Sequence, residues 1–184
     1  MKFAILAAAA SVVMVAAWAQ TSEVGTRSKD QQGRIAQGVK SGQLTAGETG
    51  NLEKKETAIN QEVRTDRTLN GGKLTQSERQ TVNRQQNQMS RQIYNDKHNA
   101  ATQHYGNNKV DARRENQQDR IANGIASGKL KAGQTARLEK GEAAINRETA
   151  KDRAANGGHL TGGEKQQINR QQNRMSGKIY KAKH

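Results

Sequence analysis

The apolar positions of the chain fall at helical spacing. Ile35 and Val39, four apart, predict a short helix over about Gln32–Lys40, and Ser41-Gly42 stops it. Thr45-Ala46-Gly47-Glu48 then reads as a capping box, in which hydroxyl and carboxylate satisfy each other's backbone N–H groups. It opens a long helix to about Leu69, with Leu52, Ile59 and Val63 on one stripe. Asn70-Gly71-Gly72 ends that helix, because glycine adopts the left-handed turn of a helix C-terminus. A second box, Thr75-Gln76-Ser77-Glu78, starts a third helix that carries Val82, Met89 and Ile93 inward to about Lys97. Ile35, Val39, Leu44, Leu52, Ile59, Val63, Leu69, Leu74, Val82, Met89 and Ile93 make up the expected core. Proline is absent and β-branched runs are scarce, so the expected fold class is all-α.

The same pattern is written twice. A shift of 86 residues lays Gln31–His98 over Gln117–His184 without a gap, and about 40 of the 68 paired positions are identical. A fainter 30-residue period sets Gly42, Leu44 and Glu48 over Gly72, Leu74 and Glu78. The expected architecture is therefore a tandem duplication of a three-helix unit, each unit a pair of helix–loop–helix half-units. In the second copy the first box reads Lys131-Ala132-Gly133-Gln134, whereas Thr161-Gly162-Gly163-Glu164 is retained. The boundaries that follow are a signal peptide over 1–19, a flexible leader over 20–30, repeats over 31–98 and 117–184, and a linker over 99–116.

Composition narrows the setting. Lys2 precedes an apolar run, Ala4 to Ala17, and Ala17-Trp18-Ala19 offers the small residues read by a signal peptidase, with cleavage after Ala19. The run is short for a membrane span, so no transmembrane segment is expected after cleavage. Without cysteine, the exported chain has no disulfide staples and its thin core must hold it. The net charge is +14, and the excess is uneven: 31–98 carries 11 basic and 7 acidic residues, 117–184 carries 14 and 6. Partners of opposite sign, such as anionic lipid, acidic glycan or nucleic acid, follow from that charge.

Three features could carry chemistry. Gly42/Leu44/Glu48, Gly72/Leu74/Glu78 and Gly158/Leu160/Glu164 resemble the EF-hand calcium loop in their Gly, aliphatic and Glu spacing, with the aliphatics of two loops expected to pair side by side. The oxygen-ligand positions, however, read Gln37, Val39, Ser41 and Arg67, Leu69, Gly71. Glu62 and Asp66, repeated as Glu148 and Asp152, sit four apart and repel, so a positive partner is expected near them. Arginines such as Arg34 or Arg84, or Arg120 and Arg170, would supply it; a divalent cation held by Glu62, Asp66, Glu78, Glu148, Asp152 and Glu164, with calcium as cofactor, is the alternative. Lastly, Arg170, Arg174, Lys178 and Lys181 form a basic stripe on the last helix, where the first copy has Arg84, Gln88, Gln92 and Asn95. No DNA-reading motif, aromatic stacking platform, or nucleophile–base set accompanies these features, and one Met and one His closing each copy (Met89 with His98, Met175 with His184) are too few for a soft copper site.

Arg34-Ile35, Ser41-Gly42, Leu44-Thr45, Glu48, Gly72, Leu74-Thr75, Glu78, Ser90, Ile93-Tyr94 and Lys97-His98 together resemble a widespread group of small exported bacterial α-helical repeat proteins. That resemblance implies a periplasmic or secreted setting and brings no catalytic residues. The expected function is non-enzymatic: binding of an anionic envelope or extracellular partner through Arg170, Arg174, Lys178 and Lys181. Calcium binding and a ligand-free structural or stress-related role are the alternatives.

Overall fold

A computed structural model describes the backbone of residues 8–184 and the side chains of residues 23–184. Its helices are α1 (Ala8–Lys40), α2 (Ala46–Leu69), α3 (Gln76–Lys97), α4 (Lys109–Ala126), α5 (Ala132–Ala155) and α6 (Gly162–Lys183), with no strand among the described residues. The protein is all-α. The expected signal peptide falls on residues whose side chains lie outside the described ones. No helix among the described residues is long and apolar enough to cross a membrane.

The capping chemistry sets the helix starts. Thr45 N–H donates to Glu48 Oε2 at 2.9 Å while Glu48 N–H donates to Thr45 Oγ1 at 3.3 Å. Thr75/Glu78 and Thr161/Glu164 close in the same way. At α5 only half of the box forms: Lys131 N–H donates to Gln134 Oε1 at 2.9 Å, and a lysine side chain has no acceptor to offer in return. At the end of α2, Gly71 and Gly72 take φ of +59° and +88°, which lets Gly72 N–H reach Arg67 O at 2.7 Å.

α1 is longer than its apolar spacing suggests. The stretch expected as a flexible leader is, from residue 23, helix packed on α3: Val24 is buried, and its carbonyl accepts from Gln86 Nε2 at 3.0 Å. Gln31 Nε2 donates in return to Gln86 O at 2.7 Å and to Ser90 Oγ at 2.9 Å. The second half does the same. α4 begins at Lys109, inside the expected linker, with Val110 O accepting from Gln172 Nε2 at 2.9 Å and Gln117 Nε2 donating to Gln172 O at 2.7 Å. One valine per half and a buried glutamine pair hold turns that carry no apolar period.

α3 packs on α1 and α2, and α6 on α4 and α5; the halves meet where α2 lies against α5 and α1 against α4. Gly50 sits beside Ala136–Lys140 and Thr57 beside Gly133, so α2 and α5 run antiparallel. Ile35, Leu52, Val82, Ile93, Ile121, Ile168 and Ile179 are completely buried. Leu69, expected in the core, is instead 77 % exposed, because the buried stripe of α2 stops at Val63. The half-unit loops also differ from the EF-hand pairing. They lie at opposite ends of α2, about 36 Å apart at 1.5 Å per residue, so Leu44 and Leu74 do not pair side by side.

Each first loop instead tucks its leucine under the preceding helix. A Cβ on Gly38 would stand 2.7 Å from Leu44 Cγ, and one on Gly124 2.6 Å from Leu130 Cγ. Gly124→Ala should therefore cost roughly 1–3 kcal/mol through overpacking. Gly177→Ala, on the open face of α6 where nothing lies within 4 Å, should stabilise by about 0.5–1 kcal/mol. Urea unfolding of the two variants should give opposite signs.

Candidate functional site

The basic stripe is presented as its spacing predicts. Ile168, Met175 and Ile179 turn inward from α6, which leaves Arg170, Arg174, Lys178 and Lys181 exposed on the outer face. None of the four side chains has a hydrogen bond or ion pair among the described residues. The ion pairs found among the described residues both belong to Asp111, with Arg114 and Arg153. At the tip of α6 the Tyr180 ring stacks on His184, centroids 4.4 Å apart, so this tyrosine lies on the surface and not in the core. On α3 the matching positions offer one cation, Arg84, which donates to Thr81 Oγ1, and Gln92 is taken by Lys55.

The carboxylates singled out from the sequence do not meet their expected partners. Glu62 Oε2 accepts from Gln85 Nε2 at 2.7 Å, and Glu148 accepts from Gln167 and Gln171 at 2.6 and 2.7 Å. Arg34 and Arg120 are turned instead to the carbonyls of Ser90 and Ser176, each at 3.1 Å. Amide donors on the neighbouring helix replace the expected arginines. Asp66 is held above the usual carboxyl range by partial desolvation and by the nearby charges of Glu78 and Glu62, and its copy Asp152 is likewise half-exposed near the end of α5. Glu78 and Glu164 are engaged as caps; the backbone N–H bonds from Thr75 and Thr161, with Asn70 and Asn156 behind them, hold both below the usual range. Among the described residues, no three acidic, His or Cys side chains converge as metal ligands.

The acidic groups that the fold does gather are different ones. Glu53, Glu56, Glu139 and Glu142 are all buried where α2 meets α5. Gln32 Nε2 donates to Glu53 Oε2 and Gln118 Nε2 to Glu139 Oε2, both at 3.1 Å; Glu56 accepts from Ser28 and Asn60. Five of their eight carboxyl oxygens have no hydrogen-bond donor among the described residues. Burial pushes Glu53 up to about 8, helped by Glu56, and Glu142 up to about 7, against the pull of Arg114. Glu56 and Glu139 shift in the same direction for the same reason. At pH 7 Glu53 is therefore mostly protonated and Glu142 about half so, which lowers the charge buried at the interface. A signal for them was present: Glu56 falls four after Leu52 and three before Ile59, inside the apolar stripe, and Glu142 repeats it.

A second polar node secures the linker. Asp111 accepts from Arg114 Nη1 and Arg153 Nη2, each at 2.9 Å, and from Asn108 Nδ2 at 2.6 Å. The Arg114 guanidinium lies 5.5 Å from the centre of the Tyr105 ring, and its Nε donates to Asn146 at 2.6 Å.

What this arrangement offers chemically is an array of accessible cations on α6. No protein-family model, curated protein or solved structure matches the chain.

Proposed function

We propose that the chain is a non-enzymatic, exported, tandemly duplicated helical repeat protein of the small bacterial group it resembles. It binds an anionic envelope or extracellular polymer through α6. The observation that carries this reading is the set of four cations at Arg170, Arg174, Lys178 and Lys181, exposed and without a carboxylate partner among the described residues. A stripe of like charge on one rigid helix raises the local potential and attracts a polyanion in a salt-dependent way. Repeat 1 lacks the stripe, which assigns the contact to the second half.

Heparin serves as a generic polyanion to test it. Arg174→Gln, Lys178→Gln and Lys181→Gln together should weaken heparin binding at low salt by about tenfold or more. Because the side chains are exposed, Tm should change little. Retained affinity in the triple variant would refute the α6 assignment, and no binding by the wild-type chain would favour a ligand-free structural role.

A further inference from the structure

The two sides of the α2–α5 packing are built alike but are not filled alike. On one side, the linker after α3 lies without regular structure against the loop between α1 and α2. Gln103 N–H donates to Gly42 O at 2.7 Å, and Gln103 Oε1 accepts from Asn146 at 3.4 Å. Gly42 is buried under it; a Cβ there would stand 2.8 Å from Gln103 O. Only a cleft of about 110 Å³ remains.

On the other side, Gly128 stands 86 residues after Gly42 and has the same backbone, φ +70° against +73°. Among the described residues nothing lies within 4 Å of a Cβ built on it, and no backbone N–H donates to its carbonyl. The groove beside it, between α1, α2 and the start of α5, holds about 1390 Å³. Its charge differs from that of the filled side. Lys29, Arg64, Lys131 and Arg137 line it, all exposed, with Asp30 as the only acid among the described residues of its lining. The positions 86 residues away from those four cations are Glu115, Ala150, Thr45 and Asn51.

We propose that this groove binds an extended, acidic polypeptide segment in the way the linker occupies its counterpart. The segment donates a backbone N–H to Gly128 O, as Gln103 does to Gly42 O, and sets its carboxylates against Arg64, Lys131, Arg137 and Lys29. A polypeptide is favoured over another polyanion because the filled groove shows what its shape takes: a main chain pressed on a glycine. An acidic one is favoured because four cations replace one acid and three neutral residues. The groove is separate from the α6 stripe and does not depend on it.

The test is fluorescence anisotropy of the full chain with a labelled ten-residue peptide of alternating acidic residues and glycine, and with its Asn/Gln counterpart. The acidic peptide should bind saturably and the amide peptide at least about tenfold more weakly. Arg64→Ala, Lys131→Ala and Arg137→Ala together should abolish binding. Gly128→Asn should also abolish it while leaving every cation in place, since asparagine tolerates a positive φ and its side chain occupies the space of the peptide backbone. Circular dichroism melting verifies that both variants fold, and the α6 triple variant should bind the peptide normally. Absence of binding, equal binding of the amide peptide, or unchanged binding by folded Gly128→Asn would overturn the proposal. Displacement by polyphosphate together with an inert Gly128→Asn would show a general anion surface, and would overturn it equally.

Discussion

Thermal stability should rise as the pH falls from 8 to 5. Glu53 and Glu142 titrate at about 8 and about 7 in the folded protein and near 4.5 when unfolded. Between those values the folded state keeps protons that the unfolded state has lost. Stability therefore falls with rising pH, by about 1.4 kcal/mol per pH unit for each such group. It is fully present below about 4.5 and has been lost above about 8.

The groups that face the cluster act in both directions: neighbouring glutamates raise the shifts, while Gln32, Gln118 and Arg114 lower them. Glu53 looks toward Glu56 on its own helix, Gln32 on α1 and Glu139 on α5; Glu139 looks toward Gln118 on α4 and Glu142. Arg114 on α4 is the cation that opposes the shift of Glu142. The total change should be about 6 kcal/mol, roughly 10–20 °C in Tm. Glu53→Gln with Glu139→Gln should make the profile shallower, leaving the slope due to Glu142, and raise Tm at pH 8, because an amide keeps the shape without a proton to lose. A wild-type Tm that is level from pH 5 to pH 8 would show that these carboxyls are hydrated and ionised in the folded chain. At lower pH the trend reverses, since Glu78, Glu164 and Asp111 are held below their usual range and the stability they provide is lost as they protonate.

The other large effect should come from Asp111→Ala. Burial opposes ionisation of Asp111, but the bonds from Arg153, Asn108 and Arg114 outweigh it and keep the carboxylate charged. Removing the carboxylate leaves Arg114, itself buried, without its counter-charge, which should cost about 3–5 kcal/mol. Asp111→Asn should cost less, as one acceptor oxygen remains. Arg114→Met in the Asp111→Ala background should restore part of the loss by removing the stranded cation. Chemical denaturation measures all three, and amide exchange across residues 99–108 should quicken in Asp111→Ala as the linker loosens. Glu115→Ala, on the exposed surface nearby, should stay within about 0.5 kcal/mol of wild type. A loss that small in Asp111→Ala would remove the node from any structural role.

Local chemistry made much of the fold legible. Capping boxes and glycine stops are short-range events, so the limits of α2 and α3 could be read from Thr45, Glu48, Asn70, Thr75 and Glu78 alone. The apolar stripes placed Ile35, Leu52, Val82, Met89 and Ile93 in the core, and charge spacing placed Arg170, Arg174, Lys178 and Lys181 on one exposed face. Those properties depend on which residues lie within one or two turns of each other. The turns of α1 over 23–31 and of α4 over 109–117 were not legible, because Gln31–Gln86 and Gln117–Gln172 are pairs of polar residues more than fifty positions apart.

Tertiary structure decided everything that depends on what lies opposite. Glu53 and Glu139 look like surface acids until α2 meets α5 and removes them from water. Glu62 and Glu148 look in need of arginine until α3 and α6 bring glutamines to them. Gly42 and Gly128 each follow a serine, stand two residues before a leucine and take nearly the same backbone angle, yet one is covered by the linker and the other faces open space. A chain that crosses between its two halves can fill only the side on which it crosses. The sequence by itself therefore determined the helices, their caps and the basic face, while the packing of the halves determined the buried acid cluster and the open groove. Helix propensity and capping act within a few residues, but desolvation and occupancy are set by distant segments brought together.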